Sequence, residues 1–174
     1  ERRLRARLGE VHALVETAEH HQRRRLLDGL ANTGVVGLLE SLKAAGVPVA
    51  IATSKPEDQT LRILEHFDLM KYLTAVSGSS EDEARSSKAD IVGRAVELLQ
   101  AAGADTSLSV MIGDRIYDVE GAAAHDIPAI IVEWGYGSPE EATGAMATVY
   151  SADQLRELLL DYLALQCQFP GRKI

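Results

Sequence analysis

Met111-Ile112-Gly113-Asp114-Arg115-Ile116-Tyr117-Asp118-Val119-Glu120-Gly121-Ala122 is the stretch from which the rest of the chain is read. An apolar run, Leu108 to Ile112, stops at a Gly-Asp pair, and a second carboxylate follows four residues later. A short, continuous apolar run bounded by polar residues reads as a buried parallel strand. Asp114 then stands at the strand's carboxyl end, where open α/β sheets bind ligands. Asp118 falls one helical turn on, close enough to share a cation. Two hard carboxylate oxygens beside phosphate oxygens suit Mg²⁺.

Working outward, apolar β-like runs and amphipathic helical stretches alternate. Val35, Leu38, Leu39 and Leu42 share a helical face. Val47 to Ala52 reads as a strand, followed by Thr53-Ser54-Lys55 and by Pro56, a residue that suits a first helical turn. Leu61, Ile63, Leu64 and Phe67 mark the helix after it. A strand is expected at 74–77, a polar loop over 78–87, and a helix from Lys88 carrying Ile91, Val92, Ala95, Leu98 and Leu99. Ile127 to Val132, Val149-Tyr150 and Leu155 to Leu165 continue the alternation as strand, short strand and helix. The pattern implies an α/β fold, a parallel sheet with helices on both faces and right-handed crossovers.

With 174 residues, 46% hydrophobic and 25% charged, the chain suits one globular domain. The expected layout is a helical segment at 1–33, a core domain over 34–165 and a tail at 166–174. A net charge of −8 argues against nucleic acid as the main partner. No apolar run approaches a membrane span and no signal peptide is visible. The single cysteine, Cys167, forms no internal disulfide, and a reducing cytoplasm fits. His20 and His21 are adjacent, so on a helix they cannot share a metal.

If the strands are parallel, Thr53-Ser54-Lys55, Lys88, Asp114 and Asp118 all reach one rim. A hydroxyl and backbone N–H groups can hold phosphate oxygens, a lysine can neutralise charge during transfer, and two carboxylates can hold Mg²⁺. Phosphoryl transfer needs these parts, because it is mostly positioning and charge compensation.

Here the chain resembles the haloacid dehalogenase superfamily, and within it the phosphoglycolate-phosphatase-like hydrolases. The resemblance runs from about Gly34 to Leu160. It rests on Ala50-Ile51-Ala52-Thr53-Ser54-Lys55-Pro56, Ile63-Leu64-Glu65-His66-Phe67, Ser86-Ser87-Lys88-Ala89, Gly113-Asp114-Arg115-Ile116-Tyr117-Asp118 and Trp134-Gly135-Tyr136-Gly137-Ser138. It implies a Rossmannoid core and Mg²⁺-dependent hydrolysis of a small phosphorylated metabolite through an aspartyl phosphate. It also implies roles. Thr53 and Ser54 bind phosphate, Lys88 steadies phosphate and nucleophile, Asp114 ligates Mg²⁺, and Asp118 supports the metal directly or through water. The 134–138 loop borders the pocket.

The resembled family opens on an Asp-x-Asp, whose first aspartate is the nucleophile and whose second is the general acid and base. No Asp-x-Asp occurs in the 174 residues. Glu81-Asp82-Glu83 lies in a loop after a different strand, and no β-like run in 1–33 can supply the central first strand. The expectation is therefore an N-terminally truncated or degenerate phosphatase that lacks the first strand and most of the cap. Its alternative is an inactive remnant with a binding or regulatory role. A response-regulator receiver domain uses similar groups, but its acidic pair comes first in the chain and its lysine last. Here the order is Thr53, Lys88, Asp114.

Overall fold

The computed structural model describes residues 34–80 and 87–168, with side chains through 162. The expected N-terminal helix with His20 and His21, the acidic triplet 81–83, Ser86, the Cys167 side chain and the tail from 169 lie outside the described residues. The chain divides into two units, Glu1–Val36 and Gly37–Ile174, and every described strand belongs to the second.

The elements alternate as the apolar pattern requires. They are α1 (Val35–Ala44), β1 (Ala50–Pro56), α2 (Glu57–His66), β2 (Ala75–Ser79), α3 (Lys88–Ala101), β3 (Met111–Gly113), α4 (Ile116–Ala123), β4 (Ala129–Val132), β5 (Ala147–Val149) and α5 (Ala152–Gln168). Every strand pair is parallel. Among the described residues the strands fall into two sheets, β1-β2 and β3-β4-β5, and no strand covers the outer edge of β1 or of β3.

Helices cover both faces of the second sheet, and strand alternation explains how. Ile130 points to one side, where it packs with Leu38 and Leu42 of α1, Val149, and Leu155 and Leu159 of α5. Its neighbours Ala129 and Ile131 point to the other side and meet Val119 and Ala122 of α4. Ile130 is fully buried. Burying such a side chain contributes about 1.5–3 kcal/mol, so this two-sided core holds β4 between the helices.

Every strand differs in its bounds from the sequence reading: β2 covers 75–79 rather than 74–77 and takes in the start of the expected loop, β4 covers 129–132 rather than 127–132, and β5 covers 147–149 rather than 149–150. The strand expected at 47–52 runs instead through Pro56, and the helix starts at Glu57. Pairing with β2 is the cause: Ala52 faces Ser77 and, after an irregularity, Pro56 faces Ser79, so Thr53 to Lys55 stay extended. The strand expected at 108–112 is Met111–Gly113. A turn held by the Asp105 carboxylate on the Ser107 N–H (2.9 Å) and by the Ser109 N–H on the Thr106 carbonyl (3.2 Å) keeps Leu108 out of the ladder. No helix among the described residues is long and apolar enough to cross a membrane.

Candidate active site

Asp114 is half-buried just beyond β3. Its Oδ2 accepts the Tyr136 N–H at 2.7 Å. That bond pins the loop 134–138, which follows β4, onto the end of β3. The approach is close: a Cβ on Gly137 would collide with the Asp114 carbonyl oxygen, and one on Gly135 with the Asp114 side chain. The Gly-Tyr-Gly sequence is what lets the loop lie there.

Asp118 is buried in the first turn of α4, the third helical residue. Its Oδ2 accepts the N–H groups of Asp114 (3.0 Å) and Arg115 (3.1 Å), two donors that helix geometry would otherwise leave unpaired. Its Oδ1 pairs with the Lys88 Nζ at 2.7 Å. Lys88 also donates to the Ala52 carbonyl at 2.8 Å. One ammonium thus joins the middle of β1 to the first turn of α4, just past β3. A lysine at the first position of a helix opposes the helix dipole, and Asp118 offsets that cost.

Two glycines make the path for this lysine. A Cβ on Gly121 of α4 would stand 2.6 Å from Lys88 Cγ, so only glycine lets the lysine stem cross α4. In return, the His125 ring fills the space above Gly93 of α3, where a Cβ would lie 2.8 Å from its Cε1. The His125 Nε2 is 2.8 Å from the Ala89 carbonyl, one residue from Lys88. Each helix therefore receives a side chain from beside the other.

Thr53 lies one residue past the Ala52 carbonyl that Lys88 holds. Its Oγ1 accepts the Lys55 N–H at 3.3 Å. Ser54 and Lys55 are exposed. Among the described residues no polar contact ties Thr53, Ser54 or Lys55 to Lys88, Asp114 or Asp118. Lys88, Asp114 and Asp118 are brought together; the Thr53 segment borders them through the Ala52 carbonyl alone.

Three participants carried no signal in the sequence. Glu141 accepts from Arg115 Nε (2.7 Å) and from the Ile116 N–H (3.0 Å), capping α4 from 25 residues away. The Arg115 guanidinium holds the Glu141 carboxyl below its usual range, helped by the Ile116 N–H, and Glu141 in turn raises Arg115. Gly121 and His125 are the others, because their partners come from a different helix.

A magnesium ion is testable against this donor set. Asp118 Oδ2 accepts two amides, and its Oδ1 pairs with Lys88. Asp114 keeps Oδ1 without a polar partner among the described residues, and a hard anionic oxygen at a strand end fits Mg²⁺. Among the described residues no three His, Cys, Asp or Glu side chains group as a metal cluster. The residues present fit the ion at the Asp114 Oδ1, with Asp118 behind it holding the Asp114 N–H.

A family model of the haloacid dehalogenase-like hydrolases matches residues 2–126. The tyrosine-protein kinase PtkA of Mycobacterium tuberculosis is 40% identical over 72% of this chain and 44% of its own length. Its solved structure superposes with a TM-score of 0.63 at 39% identity, covering 74% of this chain and 60% of that one. A 5'-nucleotidase of Pseudomonas aeruginosa is 33% identical over 83% of this chain and 66% of its own length. A phosphoglycolate phosphatase of Caulobacter vibrioides is 37% identical over 68% of this chain and 49% of its own. The chain thus spans roughly half to two thirds of the curated relatives it matches.

Proposed function

The chain belongs to the haloacid dehalogenase-like hydrolase family, and from that premise we propose that it carries the phosphate- and metal-holding half of a phosphomonoesterase site. The observation that supports this best is the Lys88 ammonium, held between the Ala52 carbonyl and the Asp118 carboxylate. It stands where charge on a transferring phosphoryl group would need compensation.

In this reading the Thr53 hydroxyl, the Ser54 hydroxyl and the backbone N–H groups around them take the phosphate oxygens. Lys88 neutralises them. Asp114 presents Oδ1 to Mg²⁺, and Asp118 fixes the Asp114 backbone and the lysine. Bound Mg²⁺ supplies charge neutralisation on the phosphoryl oxygens. The reaction we assign is attack of an aspartate carboxylate on phosphorus with departure of the alcohol. Water then attacks the aspartyl phosphate, releasing phosphate and restoring the carboxylate. No Asp-x-Asp occurs in the 174 residues, so the nucleophile and the general acid would have to come from outside them. The substrate class is a small phosphorylated metabolite, phosphoglycolate or a nucleoside monophosphate, met in the cytoplasm. Residues 34–165 would form the core, 1–33 a cap remnant and 166–174 a tail.

The same absence of Asp-x-Asp favours one second reading, a chain that binds phosphorylated ligands without turning them over. Calorimetry with phosphoglycolate and with AMP, plus and minus Mg²⁺, tests the site. Binding should strengthen with Mg²⁺ and be lost in Lys88→Met, and Asp114→Asn should lose the Mg²⁺ effect. Phosphate release should stay near background. Turnover by this chain at roughly 1 s⁻¹ or faster, in the ordinary enzymatic range, would show that the nucleophile has been misplaced. Absence of any ester binding would remove the site.

A further inference from the structure

Three side chains next to Asp114 have no part in the phosphate and metal roles. Tyr136 gives its N–H to Asp114, which places its Cα beside the acidic oxygen, yet the residue is 89% exposed. Tyr117, in the first turn of α4 and directly before Asp118, is 59% exposed. Arg115 lies between them in the contact pattern. Its guanidinium carbon is 5.8 Å from the Tyr117 ring centroid, and its Cδ lies 3.7 Å from where a Cβ on Gly137 would stand, so its stem runs along the loop that carries Tyr136.

A single exposed tyrosine needs no explanation. Two exposed tyrosines and a cation, carried by the two segments that meet at Asp114, are a different matter, because such side chains supply faces for a flat π-system. The arginine is also held in place beforehand. Glu141 grips Nε at 2.7 Å, while the terminal amino groups have no further polar partner among the described residues. Glu141 is itself tied to the Ile116 N–H, so the guanidinium stays over Tyr117 with no ligand present. A ligand ring arriving here meets surfaces that are already ordered, which lowers the entropy cost of stacking.

We propose that Arg115, Tyr117 and Tyr136 form a subsite for the aromatic part of a phosphomonoester, so that the site beside Asp114 takes ring-bearing esters ahead of aliphatic ones. This rests on the proposed phosphate site of Thr53, Lys88 and Asp114. The ring is that of a nucleoside monophosphate or of an aryl phosphate, which share the chemistry of a flat π-face attached to a phosphate.

Calorimetry on the 174-residue chain in Mg²⁺, with AMP, phenyl phosphate and phosphoglycolate, separates the cases. At least one ring-bearing ester should bind about tenfold more tightly than phosphoglycolate, as stacking on an aromatic side chain implies, and which of the two does so identifies the source of the ring. Tyr117→Ala should remove most of that advantage and leave phosphoglycolate unchanged, Tyr136→Ala should weaken ring-bearing esters more than phosphoglycolate, and Tyr117→Phe should keep the advantage. Both tyrosines are exposed, so neither substitution empties the core. Equal affinity for all three esters, or an equal loss for all three in the alanine variants, overturns the subsite alone. Failure of every ester to bind overturns the phosphate site and the subsite with it.

Discussion

The segment beyond β3 and the carboxyl-terminal half of β1 border the same candidate site and are built in opposite ways. Beyond β3 almost every polar group has an internal partner: Asp118 holds two amides and Lys88, Asp114 holds the Tyr136 N–H, and Glu141 holds Arg115 and the Ile116 N–H. In the carboxyl-terminal half of β1, the Thr53 hydroxyl has one long bond, from the Lys55 N–H at 3.3 Å, and Ser54 and Lys55 are exposed. The first rim is fixed before any ligand arrives. The second leaves the Ser54 and Lys55 side chains exposed to a ligand. Preorganised charge compensation needs the first arrangement, and capture of a mobile anion needs the second.

Removing Asp118 attacks the contrast hardest. Its side chain and that of Lys88 are only 10% and 14% exposed. Asp118→Ala strands the ammonium and two amides, and breaking such a pair costs about 3–5 kcal/mol. Urea unfolding measures it, and a loss below about 1 kcal/mol would mean the rim is not held as described. Gly121→Ala comes next. Its Cβ would press on Lys88 Cγ, and overpacking costs about 1–3 kcal/mol. The variant should also weaken the Lys88–Asp118 contact, read as a changed Lys88 ammonium signal by NMR; an unchanged signal with full stability would sink the idea.

Thr53→Ala should separate the rims. Stability should move by no more than about 0.5 kcal/mol, as for a substitution outside the core, while phosphate-ester affinity falls several-fold. A large destabilisation with unchanged binding would reverse the assignment.

The smallest effect concerns acid. Glu141 has a folded pKa held below its ordinary value of 4.5 by Arg115 and the Ile116 N–H. Its contribution is therefore complete above that ordinary value and disappears as pH falls through the lower folded value. Melting temperatures of the wild type and Glu141→Gln should differ at neutral pH and converge as pH falls through the lowered folded value. Parallel curves over the whole range would mean that Glu141 does not hold the start of α4.

Much of the architecture is legible in residue pattern. The sequence puts Lys88 at a helix start, and it stands there, behind the cap Ser87, whose hydroxyl accepts the Asp90 N–H. The alternation of strands and helices follows from Val47 to Ala52, Ile127 to Val132 and their neighbours, because strands covered on both faces must be apolar throughout. Strand ends are less legible. Pairing with β2, rather than hydrophobicity, carries β1 through to Pro56. Part of the work of Asp118 is also hidden: spacing suggests that it supports a metal directly or through water, and no spacing tells that it holds the Asp114 and Arg115 N–H groups and Lys88 as well. Glu141, Gly121 and His125 act on partners brought near only by the fold, and no local spacing encodes that.

The exchange of side chains between α3 and α4 has a bearing on descent. Lys88 needs the bare backbone at Gly121, and His125 needs the bare backbone at Gly93. A lineage that adds a methyl group at 121 must first shorten or redirect the residue at 88, and the same order binds 93 to 125. These four positions should therefore drift as two linked pairs, each change permissive for the other and damaging when it comes alone.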